Sequence, residues 1–241
     1  MSYQRQAEIY DLLYEWKLYA AEALRIHEIV DERRPKADSL LDVACGTGRH
    51  LEQLRNWYSV EGLDAEPGLV EVARRRLPDV TFHLGDMRSF ELGRQYDIVT
   101  CLFSSIGYMH TPADLALALT TMGRHLTPAG LLLVEPWLSP ETFDPQHFGG
   151  PLLAEGPDIK VVRMNGSRVE GRLSIMDFHH LVGRPGSVEH FVDVHELALF
   201  RDDEYRAAFA AAGLLVERDD DGLMGRGLWI GRAPAGLESG S

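Results

Sequence analysis

Apolar residues recur at three- and four-residue spacing from residue 5 to about residue 33: Ile9, Leu12, Leu13 and Trp16, then Ala20, Ala23, Leu24 and Ile29. That spacing predicts helices, and Pro35 closes them. From Ser39 the pattern changes to short apolar runs separated by helical stretches. Strands are expected over 39–44, 59–64, 80–85, 96–103 and 130–135, with helices near 48–57, 67–76 and 112–126. Repeated βα units of this length imply a parallel, doubly wound sheet with helices on both faces. After Pro136 the rhythm breaks. Residues 159–164, 172–181 and 188–200 read as three long antiparallel strands, turned at Gly166 and at the Gly183/Pro185/Gly186 cluster. A helix over 202–212, stopped by Gly213, and two last strands over 214–218 and 227–232 complete the pattern.

At 241 residues the chain fits one elaborated domain. No apolar run approaches the roughly 20 residues a membrane span needs. The opening Met1–Arg5 is polar and lacks the basic-then-apolar order of a signal peptide. Cys45 and Cys101 supply neither a disulfide framework nor metal-ligand spacing, so no metal is expected and the cytoplasm is the expected location. The formal charge of −13 disfavours a nucleic-acid partner, because phosphate backbones are held chiefly by Lys and Arg. A small-molecule substrate is expected instead.

The most informative segment is Leu40-Leu41-Asp42-Val43-Ala44-Cys45-Gly46-Thr47-Gly48-Arg49-His50-Leu51, a buried strand running through a glycine turn into a helix. Gly46 and Gly48 permit close approach of a ligand to the backbone. Asp64 ends the next strand at the spacing where an acidic residue receives ribose hydroxyls. Asp86, at the end of the third strand, is placed to accept from an adenine amino group, with Met87 beside the ring. Position 51 is Leu, where a dinucleotide fingerprint needs a third glycine over the pyrophosphate. An adenosyl ligand without phosphates is therefore favoured over a nicotinamide dinucleotide. Asp42 would help hold its cationic amino-acid end.

This set resembles the class I S-adenosylmethionine-dependent methyltransferases over residues 39–135 and 214–232. The stretches Phe103-Ser104-Ser105-Ile106-Gly107, Val134-Glu135-Pro136-Trp137 and Gly225-Arg226-Gly227-Leu228 narrow the resemblance. They are similar to the nucleotide-sugar N-methyltransferases that act on desosamine- or mycaminose-type deoxyaminosugars in antibiotic pathways. The similarity runs from about Tyr10 to Trp229. It implies a Rossmann-like, mostly parallel sheet with an N-terminal helical lid and an inserted antiparallel sheet. The implied parts are a cap over 1–38, a cofactor-binding core over 39–135, an insertion over 136–200, closing elements over 201–232 and a disordered tail over 233–241. The implied cofactor is S-adenosyl-L-methionine, leaving as S-adenosyl-L-homocysteine. The implied acceptor is a dTDP-linked aminosugar, methylated once or twice.

By the same resemblance, Tyr19, Asp42, Ala44, Gly46, Gly48, Asp64, Asp86, Met87 and Phe103 are expected around the cofactor. Ser105, Glu135, Trp137 and Arg226 are expected around the acceptor, with Arg226 suited to a diphosphate. Tyr10, Tyr108 and His179 are the catalytic candidates, with His110 and Glu135 as further groups able to manage the amine's proton. His179 and His180 lie on one strand, so one of the two faces the pocket and the other does not. The family carries His or Tyr at position 108 and often Glu at position 64, so both a 3-amino and a 4-amino acceptor stay open. The apolar faces of the insertion need a cover, which either the acceptor pocket or a homodimer would supply. Methyl transfer to another small acceptor, or adenosyl binding without turnover, would use the same cofactor residues.

Overall fold

The computed structural model describes residues 9–147 and 150–235. The helical start expected at 5–8 and most of the expected disordered tail, 236–241, lie outside these residues. After a short helical turn over 9–13 come α1 (Tyr19–Arg33), β1 (Ser39–Val43), α2 (Arg49–Leu54), β2 (Ser59–Asp64), α3 (Pro67–Arg76), β3 (Thr81–Leu84) and β4 (Tyr96–Cys101). A 3₁₀ turn over Ser105–Tyr108 leads to α4 (Pro112–Arg124) and β5 (Leu126–Val134). Thr111 starts α4 by accepting from Asp114 N on its side chain, with Pro112 at the first helical position, where no N–H is needed.

Strands β1 to β5 are parallel and form the body of a seven-stranded sheet. Two strands close it: β10 (Leu215–Asp219) at the edge and β11 (Leu228–Arg232), which runs antiparallel beside β5. The strand order is β10-β11-β5-β4-β1-β2-β3. A parallel strand covered on both faces must be apolar on both, which is why Leu40, Leu41 and Val43 are all sealed from solvent. Alternation then divides them. Leu40, Ile98, Leu131 and Leu133 face α1, α2 and α3, whereas Leu41, Val99, Leu132 and Val134 face α4 and α5 (Asp202–Ala211).

The insertion is a four-stranded antiparallel sheet in the order β6-β7-β8-β9, made of Leu152–Gly156, Ile159–Glu170, Leu173–Arg184 and Ser187–Ala198. Three of its strands were expected and β6 was not. The expected turn at Gly166 is also corrected: Gly166 lies inside β7 opposite Asp177, and the chain reverses at Gly171, whose φ of +62° suits glycine. Val161 and Val182 on its inner face cover Ile9 and Leu13, so the first helical turn is fastened to this sheet. Helix α1 behaves differently from a lid. Ala23, Ile26, Ile29 and Val30 are buried in the core against the parallel sheet, which leaves residues 9–18 to cover the carboxyl ends of the strands. No helix among the described residues is long and apolar enough to cross a membrane.

Candidate active site

The strand order reverses between β1 and β4, so the chain leaves their carboxyl ends in opposite directions and opens a crevice there. Ala44, Cys45, Gly46 and Thr47 form one wall of the resulting cleft and Leu102, Phe103 and Ser105 the other. Tyr10, Tyr19, Arg49 and His50 complete it. Three non-glycine residues at these strand ends, Ala44, Phe103 and Ser104, have positive φ (60°, 52° and 62°), a cost that folds concentrate at ligand sites. A Cβ on Gly46 would meet nothing within 4 Å, so a side chain there would intrude on open space beside the loop.

Asp64 is held beside this loop. Gly46 N donates to its Oδ2 at 2.7 Å and Glu66 N to its Oδ1 at 2.9 Å. Burial raises its carboxyl above the ordinary value, and these backbone donors oppose the rise. The side chain is buried and stands behind the loop rather than in the walls of the cleft. Asp42 does not line the cleft. It lies one step beneath, accepting from Thr100 Oγ1 at 2.7 Å, and burial pushes its carboxyl up to about 7. Tyr19 forms the far wall, with the Arg49 guanidinium 5.0 Å from its ring; burial pushes its phenol up to about 12.

Asp86 and Met87 follow β3 and stand outside the walls of the cleft. The Asp86 carboxylate is already closed on Arg88, which holds it below the usual range, and Met87 packs with Leu63 and Phe90. Glu135 is a correction of a similar kind. It is sealed from solvent and supports the floor, with Phe103 N donating to its Oε2 at 2.7 Å and no hydrogen-bond partner for Oε1 among the described residues. Burial raises its carboxyl, while Lys17 draws it back.

A second cavity of about 260 Å³ opens beside the cleft, and Tyr10, Phe103 and Ser105 belong to the walls of both. Arg226 lines it. Its guanidinium lies 5.0 Å from the Trp137 ring, and its Nη1 donates to Ser104 Oγ at 2.9 Å. Ser104 Oγ in turn donates to the Pro136 carbonyl at 2.7 Å, so the arginine is seated on both strand-end loops. Tyr108 also lines this cavity.

His179 does not. Parity on β8 sends Phe178 to the cavity wall and His180 into the interior, while His179 points to the outer face and stacks on His190. His110 bonds the Glu196 carbonyl at 3.1 Å and lines neither space. The histidine in the cavity is His195 of β9, which sequence reasoning passed over. It also passed over Arg163, whose Nη1 donates to Tyr14 Oη at 2.8 Å while its guanidinium lies 4.4 Å from the Phe178 ring. Below the cleft, Glu22 joins Lys17 to His50 Nε2, and Lys17 Nζ reaches Met224 Sδ at 3.1 Å. The amphipathic spacing of 193, 195 and 197 signals a strand face; nothing in it says which face meets the pocket.

The glycine loop, the acid that ends β2 and the switch-point cleft fit an S-adenosylmethionine-dependent methyltransferase, and residues 40–130 match a methyltransferase domain family. Its cofactor is S-adenosylmethionine. The chain is 45% identical to a dTDP-3-amino-3,4,6-trideoxy-α-D-glucopyranose N,N-dimethyltransferase of Streptomyces venezuelae, spanning 93% of this chain and 96% of that one. It is 40% identical to a dTDP-4-amino-2,3,4,6-tetradeoxy-D-glucose N,N-dimethyltransferase of Saccharopolyspora spinosa, spanning 93% and 91%. The solved structure of S-adenosylmethionine-bound CalS10, an amino pentose methyltransferase of Micromonospora echinaspora involved in calicheamicin biosynthesis, superposes with a TM-score of 0.85. It shares 39% identity over 93% of this chain and 96% of that chain. The protein belongs to the family of nucleotide-linked aminosugar N-methyltransferases.

Proposed function

We propose that the protein transfers methyl groups to the amine of a dTDP-linked deoxyaminosugar, twice in succession. The observation that carries this reading is the second cavity: it is contiguous with the cofactor cleft, walled by tyrosines, and carries one arginine stacked on a tryptophan. Tyr19 and Arg49 are assigned to the methionine carboxylate and Asp64 to the ribose. Arg226 and Trp137 are assigned to the nucleotide diphosphate, since a guanidinium fork pairs with phosphate oxygens. A formal charge of −13 supports a small acceptor over a nucleic acid.

S-adenosylmethionine, when bound, supplies an electrophilic methyl to an in-line nucleophile. The protein's work is to place the amine and keep it unprotonated. Phe103 and Ser105, shared by both walls, set the depth to which the sugar enters; Tyr10 covers the junction, and Tyr108 faces the acceptor. Good orientation of this kind reaches effective molarities of roughly 10⁵–10⁸ M. The shortened acid Asp64 and the tyrosine at 108 leave both a 3-amino and a 4-amino sugar within reach.

Isothermal titration tests the reading. S-adenosylhomocysteine is titrated first, then the dTDP-3-amino and dTDP-4-amino sugars into saturated protein, with mass spectrometry counting the methyls added. Binding of both ligands and gain of two methyls is the expected result. Binding of S-adenosylhomocysteine with neither sugar bound would remove the aminosugar and leave another small acceptor.

A further inference from the structure

Tyr108 Oη and His195 Nδ1 stand 2.6 Å apart, and both side chains line the acceptor cavity. They arrive from different layers: Tyr108 ends the 3₁₀ turn after β4, and His195 belongs to β9 of the antiparallel sheet. The approach is built into the backbone. A Cβ on Gly107 would sit 2.9 Å from Leu197 Cδ2 and 3.1 Å from Trp137 Cβ, so this turn meets β9 at a residue that has no side chain. With Nδ1 as acceptor, the phenol donates to His195 and keeps its oxygen lone pairs for a donor in the cavity.

We propose that Tyr108 and His195 form a proton relay that deprotonates the acceptor ammonium. The inference rests on the aminosugar reading above. In the step, the ammonium N–H bond breaks and its proton passes to Tyr108 Oη, while the phenolic proton passes to His195 Nδ1. The electron pair left on nitrogen is then free to form the new N–CH₃ bond with the methyl that bound S-adenosylmethionine would supply, the S–CH₃ bond breaking and its electron pair staying on the sulfur of the departing S-adenosylhomocysteine. The phenol ends neutral and the imidazole ends as imidazolium, which returns its proton to solvent before the next turnover. Each methylated product amine leaves the transfer protonated, so a second methylation requires the same deprotonation again.

The surroundings suit these roles. Arg163 of β7, His180 of β8 and Asp193 of β9 act electrostatically on His195, and Tyr10, Tyr14, Asp64, Glu66 and Asp193 on Tyr108. Burial and then Arg163 lower the imidazole, Asp193 opposes them, and the ring is neutral and ready to accept at neutral pH. Burial raises the phenol, so Tyr108 passes a proton on without becoming a phenolate. Tyr108 touches the amine and is the catalytic residue. His195 acts through it.

The test is the pH profile of kcat/KM, from about pH 6 to about pH 10, for wild type, His195→Gln, Tyr108→Phe and the double variant on the dTDP-3-amino sugar. Gln keeps an acceptor for the phenol and cannot titrate. Wild type is expected to reach its plateau well below the free amine's own pKa. Each variant is expected to lose on the order of 10²-fold at neutral pH, to climb with unit slope, and to rejoin wild type once the amine is free base. The double variant should lose no more than either single one, because the two act as a unit. A loss that stays constant across the range, or no loss at all, overturns the relay. S-adenosylhomocysteine affinity, expected unchanged, reports that each variant is folded. A wild-type enzyme that methylates neither sugar is a separate result, which removes the acceptor itself.

Discussion

Thr47, inside the glycine loop, donates its hydroxyl to Asp11 Oδ1 at 2.6 Å, joining the helical turn over 9–13 to that loop. Arg76, the last residue of α3, completes the contact. It donates to the Thr47 carbonyl at 2.6 Å and pairs with the second Asp11 oxygen. All three meet on the cofactor side, one residue from Tyr10, which walls both spaces.

This contact acts as a latch on the cofactor cover. A partly buried, charge-assisted hydrogen bond is worth about 1.5–3 kcal/mol, so Arg76→Ala or Asp11→Ala should weaken S-adenosylhomocysteine by at least roughly tenfold, mostly through faster dissociation. Arg76→Lys should recover part of the loss. Calorimetry with stopped-flow displacement measures both. Unchanged dissociation in both alanine variants would mean that the contact only braces the fold.

Asp42 supplies the second prediction. Its carboxyl is raised to about 7, chiefly by burial, so near neutral pH the free protein holds it partly protonated. A ligand carrying a sulfonium and an ammonium favours the ionised form and expels the proton. S-adenosylmethionine affinity should therefore rise with pH through about 7 and level off above it, with proton release visible as a buffer-dependent binding enthalpy. The stability sign is the opposite. The folded-state value lies above the ordinary 3.8, so folding favours the protonated form, and the ligand-free protein loses stability as pH rises through about 7. Asp42→Asn keeps an acceptor for Thr100 and should abolish both effects.

The two halves of the site differ in how far the sequence discloses them. Gly46, Gly48 and Asp64 occupy fixed places in a βα unit, where a local pattern specifies the loop, its helix and the acid on the neighbouring strand. The acceptor half depends on long-range pairing. On β8 and β9 side chains alternate with period two, so a single-residue choice of parity moves a histidine from the cavity to the outer face. His179 and His195 differ by that choice, and Leu197, which shares the face of His195, packs beside Gly107 of the 3₁₀ turn. The Lys17–Glu22–His50 group is equally silent in sequence, since the turn before α1 brings Lys17 to Glu22 and the packing of α1 on α2 brings in His50, 28 residues away. Composition does not reveal β6 either, because a five-residue strand of alternating exposure looks like any loop.

Arg226 carries the next prediction. It stacks on Trp137 and holds Ser104, so it is seated to meet a diphosphate with little loss of side-chain freedom. Arg226→Lys keeps the charge and loses the planar stack; Arg226→Glu reverses the charge. KM for the nucleotide sugar should rise roughly tenfold in the first and by well over that in the second, with S-adenosylhomocysteine affinity intact. If the free aminosugar, lacking the nucleotide, shows the same rise, the arginine is not reading the phosphates.

The outer face of the antiparallel sheet gives the last prediction. Met164, Leu181, Val192 and Val194 are all exposed there, 41–55% each, around the stacked pair His179 and His190. Arg168 is paired with Asp177 at one end of the face, and Lys160 with Glu155 at the other. A face with both signs at both ends suits its own two-fold copy, in which one patch meets itself reversed. A homodimer is therefore expected, with light scattering giving twice the 27.0 kDa chain mass. Leu181→Glu with Val192→Glu should yield a folded monomer, because paired carboxylates would be buried opposite their copies at a cost of several kcal/mol. A wild-type monomer at micromolar concentration would show that this face has another use.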